Sequence, residues 1–204
     1  GHCEYFDYVN CDKWKTGCFD CPQKKEYPAR IGPDMSRINY VKKKRIFTGI
    51  SNMTLVTPSQ WLTDLLQDSY MKEYDVKVIH NGVDTEVFRP VNSRIKERYF
   101  CAEKKIILGV AAIWDKRKGL SSFIELSKKL DDTYRIILVG LTQEQIKSLP
   151  SNMIGIEHTN SVKELVELYS AAEIFVNPTL EDNYPTTNIE AIACGIPVVT
   201  YDTG

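Results

Sequence analysis

The spacing of apolar and polar positions changes character at about residue 105. From there on, short unbroken apolar runs alternate with segments of helical period. "KIILGVAAI" (105–113), "RIILVG" (135–140), "MIGIE" (153–157), "EIFVNP" (173–178) and "IPVVTY" (196–201) read as strands covered on both faces. Between them, residues 119–130, "TQEQIKSL" (142–149), "VKELVELYSAA" (162–172) and the segment that follows Pro185 read as helices. Apolar strands that alternate with helices predict βαβ units, and hence a doubly wound, parallel α/β sheet of Rossmann-like type. Ligands of such sheets lie at the carboxyl ends of the strands.

Upstream the pattern is looser. Residues 1–35 are rich in Cys, Pro, aromatic and charged residues without a period, and are expected to be mostly loop. Residues 36–49 can form a helix, and "MTLVT" (53–57) a short strand. Pro58 suits the first turn of a helix through "SQWLTDLLQDSYM" (59–71), and "VKVI" (76–79) is a second strand. In "HNGVDTEVFRP" (80–90), Asn81-Gly82 is a turn signal and Pro90 a stop, so the segment reads as a linker. Two domains are expected: 1–90, the end of one domain with its linker, and 91–204, a second domain cut short at its end. Both termini of the sequence read as interior to a longer protein.

Composition narrows the classes. Of 204 residues, 43% are apolar and 26% charged, as in ordinary globular proteins, and the net charge of -1 gives no bulk attraction for nucleic acid. The one dense basic block, Lys42-Lys43-Lys44-Arg45, is either the solvated face of a helix or a contact for phosphates or lipid headgroups. No apolar stretch approaches the roughly 20 residues that span a bilayer, and no signal peptide is visible. A cytoplasmic protein is expected, with peripheral association to the inner face of the plasma membrane left open.

Two loops at the predicted strand ends carry the candidate chemistry. After "EIFVNP" comes "EDNYPTTNIEAIACG" (181–195), in which Pro185 fits the first helical position. The backbone amides of Thr186, Thr187 and Asn188 would then face the crevice, as in helix N-termini that bind phosphate. Glu190, one turn further, is placed to reach the hydroxyls of a ribose, and Asp182 lies near the reacting end of such a ligand. Both acids could instead serve only to offset the helix dipole. After "KIILGVAAI", the turn Lys116-Arg117-Lys118-Gly119 precedes a helix, and its cations suit a diphosphate or else a solvated basic turn.

With "TPSQWL" (57–62), "VIHNGVDTEVFRP" (78–90), "WDKRKGL" (114–120), "ELYSAAEIFVNPT" (165–179) and "EDNYPTTNIEAIACGIPVVTYDTG" (181–204), nearly the whole chain resembles retaining glycosyltransferases of family 4, of GT-B fold. The N-terminal "GHC" and the later "GC" and "CP" pairs resemble a bacterial polysaccharide-synthesis branch. The resemblance implies a hexosyltransferase that moves a sugar from a nucleotide-sugar donor to a glycan or lipid-linked acceptor, with retention. The donor is expected on residues 91–204 and the acceptor on residues 1–90, with no obligatory metal. The family's paired acids match Asp182, against the donor sugar, and Glu190, on the ribose. Its diphosphate lysine matches Lys118. These three are the expected catalytic group; Arg117, Lys118, Pro185, Thr186, Thr187, Asn188 and Glu190 are expected to bind the donor. The family's arginine five positions before the lysine falls on Ile113, so Arg117 or Lys116 is expected to supply that charge.

Cysteines raise a separate possibility. Cys11, Cys18 and Cys21, with Cys3 or His2, could hold a structural zinc, remain thiols or form disulfides. Cys194 reads as a small buried hydrophobe, and Trp14, Tyr27 and Trp61 as packing residues rather than sugar platforms. Two alternatives to a transferase remain: a sugar-nucleotide epimerase and a non-catalytic sugar-nucleotide binding module.

Overall fold

A computed structural model describes residues 11–25 and 31–203. The chain divides into two compact units, residues 1–80 and 81–203. Residues 81–90, grouped in the sequence reading with the upstream domain, cluster with the second unit.

In the first unit, the helix α1 (Lys13–Thr16) precedes α2 (Ser36–Phe47), the strand β1 (Thr54–Thr57), α3 (Gln60–Gln67) and β2 (Asp75–Val78). The two strands pair in parallel, with Thr54 opposite Asp75 and Thr57 opposite Val78. Pro58 is not in the first turn of α3. Ser59 is the N-cap, its hydroxyl accepting from the Leu62 amide at 3.2 Å, because a hydroxyl satisfies an orphan amide that proline cannot. α3 also ends at Gln67 rather than continuing to Met71, where the Ser69 hydroxyl turns the chain by accepting from the Met71 amide. Among the described residues, two small clusters hold this unit: Trp14 with Cys21 and Leu65, and Cys18 with Tyr40, Tyr70 and Met71. The basic block lies on α2, with Lys42, Lys44 and Arg45 exposed.

The second unit opens with chain outside any helix or strand. Asn81-Gly82 makes no turn; the reversal comes at Asp84, whose carbonyl accepts from the Val87 and Phe88 amides and whose carboxylate accepts from Glu86. A side chain that mimics a backbone turn outcompeted the Asn-Gly pair here. Then follow α4 (Ile95–Arg98), β3 (Lys105–Val110), α5 (Leu120–Ser127), β4 (Tyr134–Val139), α6 (Gln143–Lys147), β5 (Met153–Ile156), α7 (Val162–Ala171), β6 (Ile174–Asn177), α8 (Thr186–Ala193) and β7 (Val198–Thr200).

Five parallel strands lie in the order β5-β4-β3-β6-β7. Alternate residues feed opposite faces. Ile106, Leu108, Ile137, Val139 and Phe175 pack with Val166, Leu168 and Tyr169 of α7 and with Ala191 of α8. Ile107, Ile136 and Leu138 pack with Phe123 of α5 and Ile146 of α6. The apolar runs of β3 and β4 are therefore buried from both sides, the reason they do not alternate. By contrast "IPVVTY", expected to be covered likewise, forms β7 at the end of the strand order with Val199 52% exposed. The strand order reverses between β3 and β6, which makes the loops leaving these two strands the place to look for a ligand site.

Candidate functional site

The loop after β3 is anchored by Trp114. Its indole Nε1 donates to the Val139 carbonyl at 2.8 Å, its ring meets Phe123 edge-on, and its own carbonyl accepts from Gln145 Nε2 at 2.8 Å. Asp115 Oδ1 then accepts from the Lys118 amide at 2.9 Å, closing the turn that presents Lys116, Arg117 and Lys118. Gly119 caps α5 at φ 77, and a Cβ there would stand 2.6 Å from the Pro178 carbonyl oxygen. Only glycine meets both conditions, so the two loops touch at backbone range.

Their contacts are reciprocal. The Leu180 amide donates to the Arg117 carbonyl at 2.9 Å, and Arg117 Nη1 donates to the Glu181 carbonyl at 3.1 Å. Thr179 Oγ1 braces the same Glu181 carbonyl at 3.2 Å. Lys118 Nζ lies 2.6 Å from Asp182 Oδ2, both side chains about one fifth exposed. Two residues singled out separately in sequence thus meet across 64 positions of chain. Ile113, Lys116 and Arg117 are all exposed, and Arg117 bends its guanidinium onto the other loop.

α8 begins beside them. Pro185 is the N-cap, at φ -68 and ψ 117, rather than the first helical residue as its ring geometry alone suggested. Its carbonyl accepts from the Asn188 amide at 3.1 Å, so that amide is used within the turn. This corrects the expectation of three open amides: among the described residues those of Thr186 and Thr187 remain, and no side chain there caps them. The Asn188 side chain accepts from the buried Asn177 Nδ2 at 2.9 Å, which ties the start of α8 to the end of β6.

Glu190 sits in the second turn of α8, half-buried, and its Oε2 accepts from the Tyr169 hydroxyl at 2.9 Å. Burial pushes the Glu190 carboxyl above its usual range, and the bond from Tyr169 draws it part of the way back. The Tyr169 hydroxyl is itself held upward by burial and then by the Glu190 charge. The Cys194 thiol is pushed up to about 11, by burial first and then by Glu190, in keeping with a small buried hydrophobe. Asn177 and Tyr169 carry no site role in the sequence reading, although a carboxylate on an otherwise apolar helix calls for a buried donor nearby.

Residues 104–204 match the family described as "Glycosyl transferases group 1". The chain belongs to this glycosyl transferase family. The O-antigen chain mannosyltransferase RfbU of Salmonella typhimurium is 31% identical over 150 residues, covering 67% of this chain and 40% of the relative. The chain thus spans less than half of that relative's length. Among solved structures, sucrose-phosphate synthase from Thermosynechococcus elongatus aligns with TM-score 0.68 at 19% identity, covering 85% of this chain and 47% of that one. The Anabaena HepE protein, solved in complex with UDP-glucose, aligns with TM-score 0.66 at 18% identity, covering 82% and 49%. These structural likenesses speak to the fold, the Rossmann-like α/β architecture of GT-B glycosyltransferases.

The remaining sequence expectations concern metal and membrane. No group of three metal-ligating side chains occurs among the described residues. Cys3 and His2, the fourth ligands of the zinc reading, lie outside them, as does Tyr27. Trp14 is buried in its cluster and Trp61 half-buried. No helix among the described residues is long and apolar enough to cross a membrane.

Proposed function

We propose that this chain carries the donor half of a retaining hexosyltransferase of surface polysaccharide synthesis, binding a nucleotide-sugar in the crevice between the β3 and β6 loops. The observation that carries the reading is the 2.6 Å approach of Lys118 to Asp182 at the reversal of strand order, in the loop that leads into the helix bearing Glu190. Membership in the glycosyl transferases supports it, as does the likeness to a protein that binds UDP-glucose.

In this reading the diphosphate takes Lys118, with Arg117 adjacent, and meets the uncapped amides of Thr186 and Thr187 behind Pro185. Glu190 accepts from the ribose hydroxyls. Asp182 faces the transferred sugar, and Asn188 fixes the turn through Asn177. Cleavage of the bond between the sugar and the diphosphate places growing negative charge on the leaving phosphate, which Lys118 and the amides stabilise. The leaving phosphate helps to take the acceptor's proton on the same face, so configuration is retained. The acceptor is a glycan or a lipid-linked sugar presented by the upstream domain, which suits action at the inner membrane surface.

The test is calorimetric titration with UDP, GDP and ADP against the matching nucleosides, followed by donor hydrolysis and transfer assays. The reading expects binding that depends on the diphosphate. Absence of binding to every nucleoside diphosphate overturns it, and binding without hydrolysis or transfer assigns a sugar-nucleotide binding module instead.

A further inference from the structure

Tyr169 lies on α7 with no exposed surface. Its ring is held edge-on by Phe175 of β6, centroids 5.5 Å apart, and by Phe88 at 6.4 Å. A phenol so enclosed has one degree of freedom left, the aim of its hydroxyl, and a buried hydroxyl needs an acceptor. That acceptor is Glu190 Oε2, 2.9 Å away on the next helix. Among the described residues, no hydrogen bond reaches Glu190 Oε1.

We propose that Tyr169 is a positioning residue for the nucleotide: its hydroxyl fixes Glu190 Oε2 so that Oε1 is presented to the ribose hydroxyls. The inference rests on the nucleotide-sugar reading above. A carboxylate on a free rotor loses rotamer freedom when it binds a diol, whereas one already clamped by an immobile ring does not. The clamp also favours the ionised acid. Burial raises the Glu190 carboxyl, the Tyr169 hydroxyl opposes that rise, and the ionised form is the stronger acceptor of hydroxyl hydrogen bonds. The titratable groups set against it are Tyr169 from α7 and Cys194 at the C-cap of α8.

The substitution Tyr169→Phe keeps the ring and removes only the oxygen. Titrate UDP and GDP into the wild type, Y169F, E190A and the double variant, from the carboxylate range up to about pH 8. Y169F should bind roughly tenfold more weakly at neutral pH, from the loss of one hydrogen bond to a charged group. Its acid limb should lie at higher pH than that of the wild type, because the carboxyl loses the bond that holds it down. Adding Y169F to E190A should cost nothing more, since Tyr169 acts through Glu190. Unchanged affinity and pH limb in Y169F overturn the proposal even where E190A is weakened, and leave the nucleotide reading standing. A Y169F loss that persists in the E190A background marks general packing damage and also overturns it. A wild type that binds neither nucleotide removes the nucleotide reading and this inference together.

Discussion

Two carboxylates flank the crevice, and their surroundings differ. Glu190 is half-buried on a helix, is met among the described residues by one neutral donor, and sits above its ordinary range because burial opposes its charge. Asp182 is on a loop, about one fifth exposed, and is matched at 2.6 Å by the lysine expected to hold the diphosphate. One acid is set before any ligand arrives. The other is engaged in a contact that a phosphate would compete for. A rigid end suits a part that is the same in every donor, such as a ribose; an exchangeable end suits the part where bonds change.

The sharpest way to break this contrast is at the rigid end. Glu190→Ala should cost about 1.5–3 kcal/mol in nucleoside diphosphate binding, read by calorimetry, because a charged acceptor is lost. Equal affinity in the variant would end the ribose assignment. Next, Lys118→Ala should weaken nucleoside diphosphates by about tenfold, or 1.4 kcal/mol, while leaving nucleosides nearly unchanged. A parallel loss on both ligand classes would place Lys118 elsewhere.

A smaller effect of opposite sign is expected at Asp182. Asp182→Asn removes the internal competitor for Lys118, so nucleoside diphosphate affinity should rise by a few tenths to about 1 kcal/mol, the range of partly exposed ion pairs. Sugar transfer, measured in the same preparation, should fall. An affinity that drops instead would mean that the Lys118–Asp182 pair shapes the site rather than blocking it.

The mildest test concerns stability. The folded-state value of Glu190 is raised above that of the unfolded chain, so its contribution is full at acid pH and is lost as pH rises through the folded value. Glu190→Gln keeps an acceptor for Tyr169 but carries no charge. Its melting temperature should exceed the wild type's near neutrality, with the gap closing below the usual carboxylate range of about 4. A variant that melts lower at pH 7 would show that the charge stabilises the fold.

The legibility of the chain followed the physics of each part. β3 to β7 were readable to within about two or three residues, β3 and β4 most directly because a strand buried from both sides must be apolar throughout, and β7 from its apolar run although Val199 is 52% exposed. α1 and α4, of four residues each, hold barely one turn and show no period. The parallel β1–β2 pair was visible as strands although Val56 and Ile79 remain more than half exposed among the described residues. Lys118, Asp182 and Glu190 could be named from their loops and motif. The partner of Glu190 could not, because Tyr169 is 21 positions away and is drawn to it by helix packing, which sequence spacing does not encode.

The reciprocal bonds between the β3 and β6 loops bear on redesign. Leu180 donates to Arg117, Arg117 donates to Glu181, and Gly119 leaves no room for a side chain beside Pro178. The two segments are therefore a single exchangeable cassette although they are far apart in the gene. Transplanting one loop from a relative to alter sugar preference leaves the other loop's carbonyls facing the wrong donors, so residues 114–119 and 178–185 should be swapped together.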